Sequence, residues 1–286
     1  RHKIEAFHGK SNPKAIETVW SYLSSDDYHL RYAARIAIEW QDPKTWADKA
    51  YGEPNDLAAI HALLGLARCD FDGSQQPSID RLLKVDFSKL DKIGKLALLR
   101  TYSVIMSRAG KPDDAQIGAI GKQLDPHYPA SDDNLNEELC RVLCYLQHPS
   151  VVSKTIALMK TTKISVPKYD PEMIKRGGNY GRTILAAMSE KVAPNVLKIH
   201  FLFCLKDVTN GWSMEQRKAY LGELKELLSK KGGNYFSGYL NKIRESAIAN
   251  VPSQDRLALQ YLTGEIKDID LSKLPQAKGP GVAWTV

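Results

Sequence analysis

No apolar run in this sequence approaches the ~20 residues that a bilayer-spanning helix requires. The longest apolar cluster, from Ile199 to Leu205, is interrupted by His200 and bounded by Lys198 and Lys206. No segment alternates apolar and polar residues convincingly, so nothing in the chain reads as a β-strand. Cysteine is scarce: Cys69, Cys140, Cys144 and Cys204 form no CxxC pair and no CxxCH haem-attachment motif. All four lie in apolar helical patterns, where a thiol behaves as a small hydrophobe, so they do not report the compartment. There is no nucleophile elbow, paired-histidine motif or Ser/His/Asp order. The stretch carries no enzyme signature, and the expectation is that it has no catalytic residues, bound cofactor or metal.

What is present is helix after helix. "DDYHLRYAARIAIEW" offers Asp26 or Asp27 as N-cap and Leu30, Ala33, Ala34, Ala37 and Ile38 as an apolar face. "NDLAAIHALLGLARC" places Leu57, Ile60, Leu63, Leu64 and Ala67 at helical spacing, and Gly110 with Pro112 stops the long helix that begins near "KLDKIGK". "NGWSMEQRKAYLGEL" has Ser213 followed three residues later by Gln216, the pattern of a capping box. The helices come in pairs separated by short polar breaks. The expected fold is therefore all-α: an α-solenoid of antiparallel helical hairpins, each burying its face on the next, as one array over residues 1–286. Three longer breaks read as connectors. "CDFDGSQQPSIDRLLKVDFSKLD" reads as extended, "KQLDPHYPASDDNLN" as a turn region, and "TKISVPKYDPEMIKRGGNYGR" as a surface loop of the kind that carries function.

Two near-copies, "KRGGNYGR" and "KKGGNYFSG", raise the question of a phosphate loop. Such a loop needs a preceding strand and a Lys followed by Ser or Thr, and neither copy has them. Lysines and glycines at a helix end are a stop signal instead, with Asn in position to restart the chain as a helix. Each turn is still exposed and flanked by basic residues. The candidate interaction surface therefore comprises Arg176, Asn179, Tyr180 and Arg182 in the first copy, Asn234 and Tyr235 in the second, and Trp212.

Cys140, Cys144 and His148 share a helical face, but three successive turns span ~12 Å of helix. One zinc ion needs every ligand within ~2.3 Å, so core packing is the expectation. His200 reads as a satisfied interior histidine. The net charge is +7. The basic residues read as solvent positions and helix ends, often four residues from an acid, so neither nucleic acid nor a small molecule is the indicated partner.

Several segments resemble a known family. "DDYHLRYAARIAIEWQDPKTW", "LLRTYSVIMSRAGKP", "LNEELCRVLCYLQHPSVVSKTIALM" and the block from "IHFLFCLKDV" to "LNKIRESA" are similar to the HEAT-like region of large multidomain bacterial proteins. In these, a β-propeller resembling sorbosone dehydrogenases precedes the helices and a c-type cytochrome domain follows them. The resemblance implies that the hairpins of the α-solenoid are HEAT-like, and that they form a non-catalytic helical spacer in an exported, periplasmic or otherwise extracytoplasmic redox protein. Its partners would be flanking domains of the same chain or another protein, and any haem c would be held in a flanking domain. The opening "RHKIEAFHGK" and the ending "KGPGVAWTV" then read as cuts inside a longer protein, with residues 275–286 a linker towards a following domain. A HEAT-like DNA-binding or DNA-repair protein with a basic concave face is the alternative. A carbohydrate surface built on Trp212 and the tyrosines is a third reading.

Overall fold

The computed structural model of the chain describes residues 1–163, 171–187, 195–230 and 235–263. Every regular element among them is helical, and no strand occurs. In chain order the α-helices are α1 (His2–Glu5), α2 (Ala15–Val19), α3 (Tyr28–Glu39), α4 (Ala47–Gly52), α5 (Asp56–Arg68), α6 (Gln75–Leu82), α7 (Lys92–Ala109) and α8 (Asp114–Leu124). They continue as α9 (Asp133–Tyr145), α10 (Val151–Thr161), α11 (Pro171–Arg176), α12 (Gly178–Ala187), α13 (Val196–Leu205), α14 (Met214–Ser229), α15 (Phe236–Ala249) and α16 (Ser253–Thr263). Short 3₁₀ turns cover Trp20–Ser24, Pro43–Thr45, Phe87–Lys89 and Asp125–His127.

The chain divides into two compact units. The first comprises Arg1–Lys163 and Asn195–Gly211. Within it α3 packs on α5, α5 on α7, α7 on α9 and α9 on α13. All five of these helices start from an Asp or Asn whose side chain accepts a backbone N–H of the first turn: Asp27, Asn55, Asp91, Asp132 and Asn195. Such a cap satisfies a donor that helix geometry leaves orphaned and contributes about 1 kcal/mol. Of the other helices, α2, α4, α6 and α10 have no side-chain cap, while α8 is capped by Asp113.

Small residues and aliphatics let these helices approach closely. Ala33, Ala34, Ala37 and Ile38 of α3 are buried, as are Ile60, Leu63, Leu64 and Ala67 of α5. Trp46 is buried, and Trp20 meets its ring edge-on at 6.3 Å while donating its indole N–H to Glu53. Polar cross-links tie neighbouring helices. The buried Tyr102 hydroxyl on α7 donates to Gln123 of α8, whose amide donates to the carbonyls of Leu82, the last residue of α6, and Val85 just beyond it. Arg81 of α6 is buried and donates to the Glu53 carbonyl and the Asp56 carboxylate, so its charge is hydrogen-bonded as a buried charge must be.

The second unit takes its described residues from 171–187, 212–230 and 235–263. Its helix α14 packs on α15 and α16, and α11 packs on α12. Tyr220, Leu221, Leu224 and Leu227 of α14 are buried, with Leu240, Ile243, Leu259 and Leu262 also in the interior. The Ser213–Gln216 capping box forms as its spacing indicated: the serine hydroxyl accepts Gln216 N–H, and the glutamine side chain accepts Ser213 N–H.

Two segments depart from the sequence reading. The expected extended connector after Cys69 contains α6, and the expected surface loop contains α11. Both helices carry proline in the first turn, Pro77 and Pro171. At that position the missing N–H would have had no helical partner, so the ring starts a helix rather than breaking one.

Candidate functional site

A groove of about 380 Å3 in the first unit is opened by α3, α5 and α7. On α3 it is lined by Tyr28, Arg31, Tyr32 and Arg35, which recur at helical spacing and form a second face opposite the alanines. On α5 it is lined by His61, Leu64 and Arg68, and on α7 by Ile93, Leu96, Ala97, Arg100 and Val104. The floor is thus aliphatic and the walls carry arginines and tyrosines. None of the lining residues is acidic.

The arginines differ in how they are held. Arg31 is only 3% exposed, and its Nη1 donates to the carbonyls of Ser25 and Asp26, which bind the chain entering α3. Arg35 is 8% exposed, pairs with Glu39 and lies 5.1 Å from the centre of the Tyr32 ring. Arg68 reaches the same Glu39 oxygen at 2.9 Å. Arg100 is exposed and has no carboxylate partner among the described residues. Four guanidinium groups thus line the groove, and one carboxylate, Glu39, pairs with two of them, Arg35 and Arg68. The two buried arginines, Arg31 and Arg35, are exceptions to the expectation that most basic residues lie on solvated faces. Arg35 and the aliphatic stem of Arg31 pack along α3 while their heads find carbonyl and carboxylate oxygens.

The ring nitrogens of His61 and the Nε of Arg31 are buried without hydrogen-bond partners. Burial, together with the Arg31 and Arg35 charges, depresses the His61 pKa to about 4, so the imidazole is neutral near pH 7. Above it Tyr28 and Tyr32 stack on each other with centroids 6.2 Å apart, and both rings remain substantially exposed. Chemically, the groove offers guanidinium donors to an anion and flat π-faces to a ring.

The residues singled out from sequence lie elsewhere. Arg176 ends α11, and Asn179, Tyr180 and Arg182 lie in the first turns of α12, all exposed. Gly178, the first residue of α12, has φ of +53°, the left-handed conformation that glycine permits, and Arg182 donates to Asn179 at 3.0 Å. In the second copy Tyr235 is highly exposed at the start of α15, while Asn234 lies outside the described residues. Trp212 is half-buried, edge-on to Tyr220 at 5.4 Å with Arg217 over its ring at 5.3 Å.

The structure also gathers thiols that are distant in sequence. Packing of α13 on α9 brings Cys204 and His200 beside Cys140 and Cys144. Cys140 and Cys144 lie with their sulfurs 3.7 Å apart, and Cys204 lies 3.4 Å from His200 Nε2, which also meets the Glu137 carbonyl at 3.0 Å. Burial opposes ionisation of Cys140, but thiol donors from Cys144 and Cys204 and hydroxyls from Tyr128 and Thr155 offset it and draw this thiol down. Donation to Cys140, reinforced by burial, pushes Cys144 and Cys204 up. His148 is not part of this cluster; it sits against Ser150 at 3.1 Å and Asp125 at 3.5 Å. Among the described residues no group of three or more His, Cys, Asp or Glu side chains has a metal-holding arrangement, and no helix is long and apolar enough to cross a membrane. The chain matches no family model, no curated protein and no solved structure.

Proposed function

We propose that the chain is a non-catalytic helical-repeat module, an α-solenoid of HEAT-like hairpins that works as a scaffold and interaction surface. The observation that carries this reading is the succession α3, α5, α7, α9, α13, each helix packed on the next and each begun by an Asp or Asn cap. A repeated unit that buries one face on its successor is the physical content of a solenoid. Through the family resemblance, the module is proposed as the spacer between a dehydrogenase-like β-propeller and a c-type cytochrome domain in an exported protein. A stiff spacer would fix which surfaces of two redox modules can meet.

The test is the parent reading frame and its product. A CxxCH motif is expected downstream of Val286 and a β-propeller upstream of Arg1. The isolated chain should take up no haem and reduce no dye with sugar substrates. Haem bound by this chain, or turnover by it alone, would overturn the proposal.

A second reading, nucleic-acid binding, is favoured by one specific observation: arginines and tyrosines line one groove across three neighbouring helices. Phosphate contacts and stacking on aromatic side chains would use both residue types. A salt-dependent shift of labelled duplex in a gel supports it, and no shift at low salt removes it.

A further inference from the structure

We propose that the groove between α3, α5 and α7 is a binding site for a small phosphorylated aromatic molecule of the nucleotide class, its ring laid on the Tyr28–Tyr32 pair and its phosphate held by Arg68 and Arg100. The proposal is independent of the scaffold role.

Size comes first. The groove holds about 380 Å3, within the ~300–1,000 Å3 span of small-molecule sites. Its floor of Leu64, Leu96 and Ala97 is apolar, as such sites are, and its walls carry the arginines, the tyrosines and His61.

Charge comes second. Converging guanidinium groups repel one another, and here a single carboxylate, Glu39, is shared by two of the four. An arriving dianion would relieve that repulsion. Guanidinium forks match phosphate oxygens in geometry as well as charge, which is why arginine rather than lysine suits this task. Arg100, exposed and without a carboxylate partner among the described residues, and Arg68, 45% exposed at its side chain, are the two that can turn to a ligand without leaving the interior.

The third element is the aromatic platform. Tyr28 is 61% exposed and Tyr32 48% exposed, so the stacked pair presents ring area to the groove rather than filling a core. Arg35 fixes the Tyr32 ring from one side. A phosphate alone would leave these rings uncovered, and an acidic peptide would use the arginines but not the π-faces. Finally, a neutral imidazole carries one donor and one acceptor, and His61 has neither satisfied within the protein. With Arg31 Nε–H it forms a polar patch in the groove wall that complements a sugar hydroxyl once the wall relaxes around a ligand.

Isothermal titration of the whole chain with AMP, adenosine, inorganic phosphate and a short single-stranded oligonucleotide tests this. AMP should bind at one molecule per chain and about tenfold or more tighter than either adenosine or phosphate, since both halves contribute. Arg100→Gln and Tyr28→Ala should each weaken AMP binding about tenfold, while Lys89→Gln, outside the groove, should leave it unchanged. Arg100 and Tyr28 are exposed, so the melting temperatures of their variants should match the parent and loss of binding will not be loss of fold. No saturable heat with AMP overturns the proposal. So does phosphate binding as tightly as AMP, or groove variants that bind normally. Strongly preferred, steeply salt-dependent binding of the oligonucleotide also overturns it, in favour of a polymer site.

Discussion

Gly121 lies directly beneath His148: a β-carbon built on the glycine would sit 2.6 Å from His148 Cδ2. The imidazole is held there by Ser150 and Asp125, so it cannot swing away freely. In an open helix, Gly→Ala would stabilise by up to ~1 kcal/mol. Here Gly121→Ala should instead destabilise by about 1–3 kcal/mol through overpacking. Chemical denaturation measures it, and a double-mutant cycle identifies the cause. In a His148→Ala background the Gly121→Ala cost should vanish, and a persistent cost would point away from this contact.

The groove histidine predicts a pH effect. His61 titrates near 4 when folded and near its ordinary 6.5 when unfolded. Between those values the unfolded chain binds a proton that the folded chain refuses, so stability falls as pH falls through that window, by on the order of 3 kcal/mol in total. Arg31 and Arg35 from α3, Arg68 from α5 itself and Arg100 from α7 are the charges that line the groove with it, and Arg31 and Arg35 oppose its protonation. Urea denaturation at about pH 7 and about pH 4 should show the loss, and His61→Gln should remove that part of it. An equal loss in the variant would assign the effect to carboxylates.

Thiol chemistry gives a third expectation. Burial pushes the Cys69 thiol up to about 11, and Cys144 and Cys204 are pushed up as well. Cys140 is drawn the other way but is fully buried. Since the thiolate is the reacting species and must be reached, the folded chain should react slowly with an aromatic disulfide reagent near neutral pH. All four thiols should appear on addition of denaturant. Rapid modification of Cys140 in the folded state would mean that the α9–α13 contact opens readily.

The capping pattern can be tested one helix at a time. Asp91→Ala removes the acceptor for Gly94 N–H at the start of α7 and should cost about 1 kcal/mol, read as a lowered denaturation midpoint with an unchanged slope. Asp91→Asn should recover most of it, because an amide oxygen also accepts.

Much of the helical framework was legible in the residues. Asp27 caps α3, Gly110 stops α7 at φ of +85°, and Ser213 with Gln216 closes its box, each from local chemistry that a short window contains. The helices α6 and α11 are harder to read because each is short and carries proline, which stops a helix in its interior but fits its first turn. The groove failed to appear for a different reason. Tyr28, Arg31, Tyr32 and Arg35 do announce a face of α3, but a charged face reads as solvated until α5 and α7 are seen to wall it in. Likewise nothing near Cys140 in sequence mentions Cys204; only the packing of α13 on α9 brings them together.

That packing has a consequence for the newly made chain. The first unit is left at Lys163 and rejoined at Asn195, so α13 is synthesised only after residues 164–194 of the other unit. During translation the side of α9 that α13 will cover stays open, Cys140 and Cys144 with it, after the helices before it have been made. Apolar surface left waiting in this way is where non-native association begins. Completion of the first unit thus waits for the passage of Gly211 out of the ribosome, and a stall between Lys163 and Asn195 would leave that side of α9 uncovered.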